Sequence, residues 1–405
     1  MKVYIGIDWS EQKHNLCFMN EAGGTIVETQ IAHTPEGFLM LEQEREKLGV
    51  TLQDSQVGIE TGHNLLVDFL VEKGYPVYVL PPGLVKSSQG RQGVAGAKDD
   101  RRDARLIADI VRTDRSRLQV WLPQSALVQH MKAKVSLIHF LSQSCVRYSN
   151  RLRAVLLRYY PAALQVFAAL DTPITLAFVQ TYPTPQQAAQ LSFEQFQAFL
   201  RQHHHCQPSK WAGSYARLKL PAPDPSPEAV ETYQGEAMLL AGMLATCVKA
   251  KQLAIQELQG LYSQHPDRHI FASLPGTADF LQPALLAKLG DHRSHFPSPA
   301  VLQAVAGTSP ITRQSGKHRS VSFRFACDRE LRFIAQQWAK ASINKCDWAN
   351  TYFSQAYRRT HSKNDAYRRL ANRWLAILWK LWQSNQPYDE SFHLQQRMLR
   401  ALPRS

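Results

Sequence analysis

A chain of 405 residues with 47 Lys/Arg against 33 Asp/Glu carries a formal net charge of +14 and is long enough for two or three domains with a proper core. Hydrophobic residues at 44% and charged residues at 20% are those of a folded protein, which excludes global disorder. No uninterrupted apolar run approaches the roughly 18 residues that span a bilayer, and the first residues read as a strand rather than a leader. The expectation is a cytoplasmic protein with no membrane partner.

In chain order, residues 3–7, 14–19 and 24–30 read as three strands, with Gly23-Gly24 as the turn between the last two. Thr34-Pro35 is a helix start, and the helix should run to about residue 48. Strands at 56–60 and 76–80 then flank a helix at 64–73. Three strands followed by alternating helix and strand predict a mixed α/β sheet. From Lys98, DDRRDARLIADIVRT has helical spacing, with Ala104, Ile107, Ala108 and Val111 on one face.

Residues 125–170 and 228–264 are long and helical, with heptad-like spacing through Val128, Met131, Val135 and Ile138. They suit an antiparallel pair or a dimerising coiled coil. The stretch between them is rich in Pro, Gln and His, and its 221–227 run, PAPDPSP, reads as a linker. From about residue 269 the chain reads as helices with loops. Trp374, Leu375, Leu378, Trp379 and Trp382 share the spacing of a packed helix face.

Charge is distributed unevenly. Residues 1–110 hold 11 Lys/Arg and 16 Asp/Glu, a net of −5, whereas residues 313–405 hold 18 and 6, a net of +12. A strongly basic C-terminal stretch with interleaved aromatics points to nucleic acid. Arg358, Arg359, Arg368 and Arg369 are its natural phosphate contacts. The six cysteines lie far apart with no CxxC pair, so reduced thiols are expected rather than a disulfide framework or a structural zinc. His203-His204-His205-Cys206 looks metal-like but lacks a second ligand pair.

Four acidic residues stand out. Asp8 and Glu60 each end a predicted strand, and Asp100 and Asp103 lie three apart on a predicted helix. Such a set is what holding divalent metal over a phosphodiester requires, and oxygen ligands favour Mg²⁺ or Mn²⁺. Singly, each has a structural alternative: Asp8 capping a turn, Asp103 pairing with Arg101 or Arg102. Asp99, four residues before Asp103, competes with Asp100 for the metal role. In Arg313-Gln314-Ser315-Gly316-Lys317, the reading from residues alone is a basic loop with an ordinary serine.

IGIDWSEQKHNLCF, VGIETGHN and AKDDRRDARLIADI resemble the RuvC-like domain of DEDD insertion-sequence transposases, the bridge-RNA-guided serine recombinases. SLPGTADFLQPALLAKLGD, AVAGTSPITRQSGK and FACDRELRFIAQQWAKAS resemble that family's C-terminal transposase domain, as does the tail from Trp348 to Tyr388. The resemblance implies an α/β RNase H-like (RuvC-like) catalytic domain at 1–122. A helical coiled-coil and linker region at 123–265 and a mainly α-helical domain at 266–405 would follow. It places the four family acids on Asp8, Glu60, Asp100 and Asp103, and the nucleophilic serine on Ser315.

The implied reaction is RNA-guided DNA strand cleavage and exchange through a covalent phosphoserine, with target and donor DNA and a structured bridge RNA as partners. A homo-oligomer, a tetramer built from dimers, is implied too. Gly316 would let a phosphate approach, and Lys317, His318 and Arg319 would offset its charge. Leu274-Pro275-Gly276-Thr277 resembles a helix-hairpin-helix turn that binds phosphate. Ser309, before Pro310, is a competing serine. Three rivals remain: a Holliday-junction resolvase using the same carboxylates, a sugar kinase or related ATPase, and a transposase-derived binding protein without catalysis. The resolvase leaves Ser315 without a role, and the kinase lacks a Gly-rich loop after Asp8.

Overall fold

Strict alternation in the first strands decides how the N-terminal part is layered. The computed structural model describes residues 1–62, 64–92, 100–220, 225–316, 318–392 and 394–395, with side chains at all of these except 91, 92, 100, 318 and 319. The chain divides into two compact units, Met1–Pro123 and Gln124–Ser405.

The first unit runs β1 (Val3–Asp8), β2 (Lys13–Met19), β3 (Thr25–Ala32), α1 (Pro35–Lys47), β4 (Ser55–Ile59), α2 (Leu65–Lys73), β5 (Val77–Val79), α3 (Pro82–Ser88) and α4 (Asp100–Asp114). The sheet order is β3-β2-β1-β4-β5. β1 pairs antiparallel with β2 and parallel with β4, so the sheet is mixed as expected. Thr34 caps α1 by accepting from the Gly37 N–H, and Asn64 caps α2 by accepting from Val67. One sheet face, with Ile5, Ile7, Leu16, Phe18, Val57 and Ile59, packs against Phe38, Leu41, Leu66 and Leu70 of α1 and α2. The opposite face, with Tyr4, Cys17, Met19 and Tyr78, is covered by Ala104, Ile107, Ala108 and Val111 of α4. Because side chains alternate, Asp8 and Glu60 belong to the face that α4 covers.

The second unit begins with α5 (Ala126–Tyr159), followed by α6 (Ala163–Val166), α7 (Pro173–Thr181), α8 (Pro185–Gln190), α9 (Phe193–Gln202) and α10 (Trp211–Leu218). Next come α11 (Pro227–Ser263), α12 (Arg268–Ala272), α13 (Leu281–Leu289), α14 (Pro299–Val305), the strands β6 (Ile311–Ser315) and β7 (His318–Ser322), α15 (Arg329–Ser342), α16 (Asp347–Thr360) and α17 (Lys363–Ser384). Helices α5 and α11 lie antiparallel, tied by the ion pairs Lys134–Glu257 and Arg151–Glu236. This is the antiparallel alternative of the sequence reading.

The Pro-, Gln- and His-rich stretch, which composition left without assigned elements, is helical. It folds into α7–α10, whose Phe178, Phe196, Phe199 and Trp211 join Leu152, Leu156, Leu240 and Leu244 of the long pair in one core. Thr172, Thr184 and Ser192 cap three of these helices, and Pro173 and Pro185 sit in first turns, where the missing N–H costs nothing. Of the 221–227 run, residues 221–224 lie outside the described residues, and Ser226 caps α11.

A second core joins the first turns of α5 to α12–α17 around Trp338, Trp374 and Trp382, all fully buried. The three indole N–H groups donate to Pro275 O, Ser342 Oγ and Asp267 Oδ2. The tail tryptophans are therefore mainly core. Among the described residues, α11 is long and apolar enough to cross a bilayer by length and composition, and its Leu240, Leu244 and Leu258 are buried in the two cores.

Candidate active site

The carboxylates of the first unit are placed by the sheet. Ile7 pairs with Ile59 in the parallel ladder, so the next residues, Asp8 and Glu60, end two adjacent strands side by side. Two residues back, Gly6 pairs with Gly58. A Cβ at Gly6 would overlap the Ala104 carbonyl oxygen and the Ala108 nitrogen, and one at Gly58 would come within 2.5 Å of Val111 Cγ2. Bare backbone on both strands lets α4 lie directly on the sheet, and Asp103 immediately precedes Ala104. The consequence is electrostatic. Partial burial of the Glu60 carboxyl, and then the charge of Asp103, push it above the usual carboxylate range. Glu60 keeps an exposed surface, so its loss of hydration is partial.

The side chain of Asp100 and all of Asp99 lie outside the described residues. Among the described residues, no three His, Cys, Asp or Glu side chains lie within common reach of one metal ion. The His203–Cys206 run therefore forms no such group, and neither do Asp8, Glu60 and Asp103 by themselves; His205 Nδ1 accepts from the Trp211 indole instead.

Several supports were not read from sequence. Asn15 stands opposite Asp8 on β2, is nearly buried, and accepts from Gln30 Nε2 at 3.2 Å. Arg105 on α4 makes a bidentate pair with Glu28 of β3, clamping the helix that carries Asp103. The loop after Asp8 is held by His14, whose Nδ1 accepts from the Ser10 N–H while its Nε2 meets His33 Nδ1 at 2.9 Å. Each depends on a partner distant in sequence; the repeated Gly-Ile-acid at 6–8 and 58–60 signals only the paired strand ends.

In the second unit, Ser315 closes a β-hairpin rather than sitting in an irregular loop. It is the last residue of β6, pairs with His318 of β7, and is exposed. Gly316 has φ +55°, the left-handed conformation that a two-residue hairpin connection needs. The root is firmly held. Arg332 donates to Arg324 O and Cys327 Sγ, both at 2.5 Å, and lies 4.5 Å over the Phe323 ring. Arg324 donates to the carbonyl of Ser309, which places the competing serine at the root.

The basic residues separate into two kinds. Arg358 and Arg359 are exposed on the last turn of α16. Arg368 donates to Thr308 O at 2.8 Å and pairs with Asp365, while the half-exposed Arg369 holds the same carboxylate at 2.6 Å. Burial opposes charge on Asp365, but those two guanidinium groups keep its carboxyl below the usual range. Lys317 lies outside the described residues, as does the Arg319 side chain. The Leu274–Thr277 turn is packed inward: Gly276, at φ +76°, lies against the backbone of Ala341 and Ser342, and Thr277 is buried.

Residues 5–161 match the DEDD transposase family of IS110, and residues 268–354 match the IS116/IS110/IS902 transposase family. The chain is 30% identical over 414 residues to a Streptomyces coelicolor protein named as the mini-circle transposase for IS117, with 96% of each chain covered. It is 31% identical over 202 residues to a Sinorhizobium fredii transposase, covering 49% of this chain and 56% of that one. An IS110 protein of 43.6 kDa from Streptomyces coelicolor is 23% identical over 401 residues, covering 96% and 95%. With both family regions in order along one chain and a relative alike over its whole length, this protein belongs to the IS110/IS116 family of transposases.

Proposed function

We propose that this transposase cuts and rejoins DNA through a covalent phosphoserine at Ser315, with a divalent cation, Mg²⁺ or Mn²⁺, held by Asp8, Glu60, Asp100 and Asp103. The observation that carries the reading is the pairing of Ile7 with Ile59, which ends two adjacent strands at Asp8 and Glu60 on the face that α4 covers, with Asp103 near enough for its charge to act on Glu60. Carboxylates brought this close repel unless a cation or proton lies among them, and an all-oxygen donor set suits a hard dication. Bound there, such an ion supplies charge neutralisation at a phosphodiester and a more acidic hydroxyl.

The chain's own residues do the rest. Ser315 Oγ attacks phosphorus and gives up its proton; the serine–phosphorus bond forms as the bond to the leaving DNA hydroxyl breaks. Attack by a freed DNA hydroxyl reverses the link and restores the serine. Exposure at a hairpin tip supports this role, because the nucleophile must reach a phosphate inside a wide duplex.

The reading extends to an RNase H-like first domain over 1–122, which the sheet order β3-β2-β1-β4-β5 supports. It also takes 123–265 as a coiled-coil region and 266–405 as the serine-bearing domain; the two hydrophobic clusters of the second unit favour a division of that kind. A bridge RNA pairing with target and donor DNA supplies sequence choice, and a cytoplasmic tetramer built from dimers is the working assembly. In a strand-exchange assay, Asp8→Ala and Asp103→Asn should each abolish product while nucleic-acid binding persists. Full exchange by either variant overturns the metal-site reading.

A further inference from the structure

The helical pair of the second unit brings two cysteines together. Cys145 on α5 and Cys247 on α11 are both free thiols, and both pack into the hydrophobic cluster that joins the two helices. The register of the pair agrees. Arg151–Glu236 lies to one side and Lys134–Glu257 to the other, which brings position 145 level with 247 to within about one helical turn. The two environments differ. Cys145 is buried in the core with Leu152 and Leu244, whereas Cys247 is half-exposed and lines a groove of about 540 Å³ with Leu141, Tyr148, Met238 and Met243.

We propose that Cys145 and Cys247 form a reversible dithiol–disulfide couple, closed by a peroxide, that cross-links α5 to α11. The half-exposed Cys247 is the thiol that meets the oxidant. Its thiolate attacks the peroxide oxygen, the O–O bond breaks, water leaves after protonation, and Cys247 becomes a sulfenic acid. Cys145 then attacks that sulfur; the S–S bond forms and the sulfenic hydroxyl departs with the Cys145 proton as a second water. Two thiols are oxidised by two electrons and one peroxide is reduced to two waters. Burial favours the neutral Cys145 thiol and holds it above its usual range, which suits a resolving thiol that waits for an adjacent sulfenic acid rather than meeting solvent oxidants. The link would fix the register of the long helices between the two ion pairs, and a dithiol reductant would release it.

The test uses the full-length protein, reduced and then exposed to hydrogen peroxide, with remaining thiols alkylated in denaturant before non-reducing peptide mapping. The expected product is the Cys145 peptide joined to the Cys247 peptide, lighter by two hydrogens than the separate pair and lost on treatment with dithiothreitol. Cys247→Ser should leave Cys145 alkylated as a single peptide after the same exposure. Recovery of both wild-type cysteines as separate alkylated peptides, of Cys247 as sulfinic acid beside a free Cys145, or of Cys247 joined to another cysteine overturns the proposal.

Discussion

Gly6 and Gly58 are partners across the parallel pair β1 and β4, and together they form the floor on which α4 rests. Each stands two residues before a carboxylate, so the contact that seats the helix also sets Asp103 against Glu60.

Gly6→Ala tests that contact directly. The added methyl meets helix backbone rather than a movable side chain, so α4 must shift. Thermal unfolding should show a loss of about 1–3 kcal/mol, the range for overpacking a tight core. Strand exchange should fall further than stability alone explains. Gly58→Ala meets the Val111 and Ile107 methyl groups and should be milder in both respects.

Asp103→Asn should stabilise the protein without metal while removing its response to metal. Glu60 has a raised carboxyl, so its charge opposes folding once pH rises above the ordinary value, and removing the Asp103 charge relieves part of that. With Mg²⁺ at 100 times its dissociation constant, wild type should gain ~2.7 kcal/mol of stability. Melting curves with and without Mg²⁺ read both signs. An equal Mg²⁺ gain in the variant contradicts the assignment.

The His14–His33 contact predicts a loss of stability in mild acid. Burial and then His33 lower His14 from 6.5 to about 4, so the folded protein holds it neutral while the unfolded chain takes up a proton. Stability is complete above pH 6.5 and declines as pH falls toward 4, by ~3 kcal/mol at most. His14→Asn should flatten this part of the stability–pH curve, measured by denaturant unfolding at pH 7, 5.5 and 4.5.

The C-terminal arginines should divide by experiment as they do by contact. Arg358→Ala and Arg359→Ala should each weaken nucleic-acid binding and reduce the magnitude of the salt slope by about 1, with unchanged melting. Arg368→Ala should instead cost about 1–3 kcal/mol of stability, since it strips partners from the Thr308 carbonyl and from Asp365. Fluorescence anisotropy at several salt concentrations, beside melting curves, separates the two effects.

Much of the first unit was legible because its signals are local. Alternation and turn residues marked β1 to β5, and Thr34 and Asn64 marked the starts of α1 and α2. Asp8 and Glu60 were visible as strand-end acids, but their adjacency depends on strand order, which no single strand encodes. The stretch 171–220 gave no assigned elements because its helices are short and proline-started, at Thr172-Pro173 and Thr184-Pro185. The hairpin around Ser315 is short, polar and exposed, so it lacks the alternation that reveals a half-buried strand. The structural contact of Arg368 was not legible because its Thr308 partner lies 60 residues away in sequence.

The most direct measurement is a denaturing gel for a covalent protein–DNA adduct. Purified protein with its co-purifying RNA, matching DNA and Mg²⁺ is compared with Ser315→Ala. An adduct in wild type that vanishes in the variant is the predicted result. Metal-dependent cleavage with no adduct in either protein contradicts the serine mechanism and favours hydrolysis by the carboxylates alone.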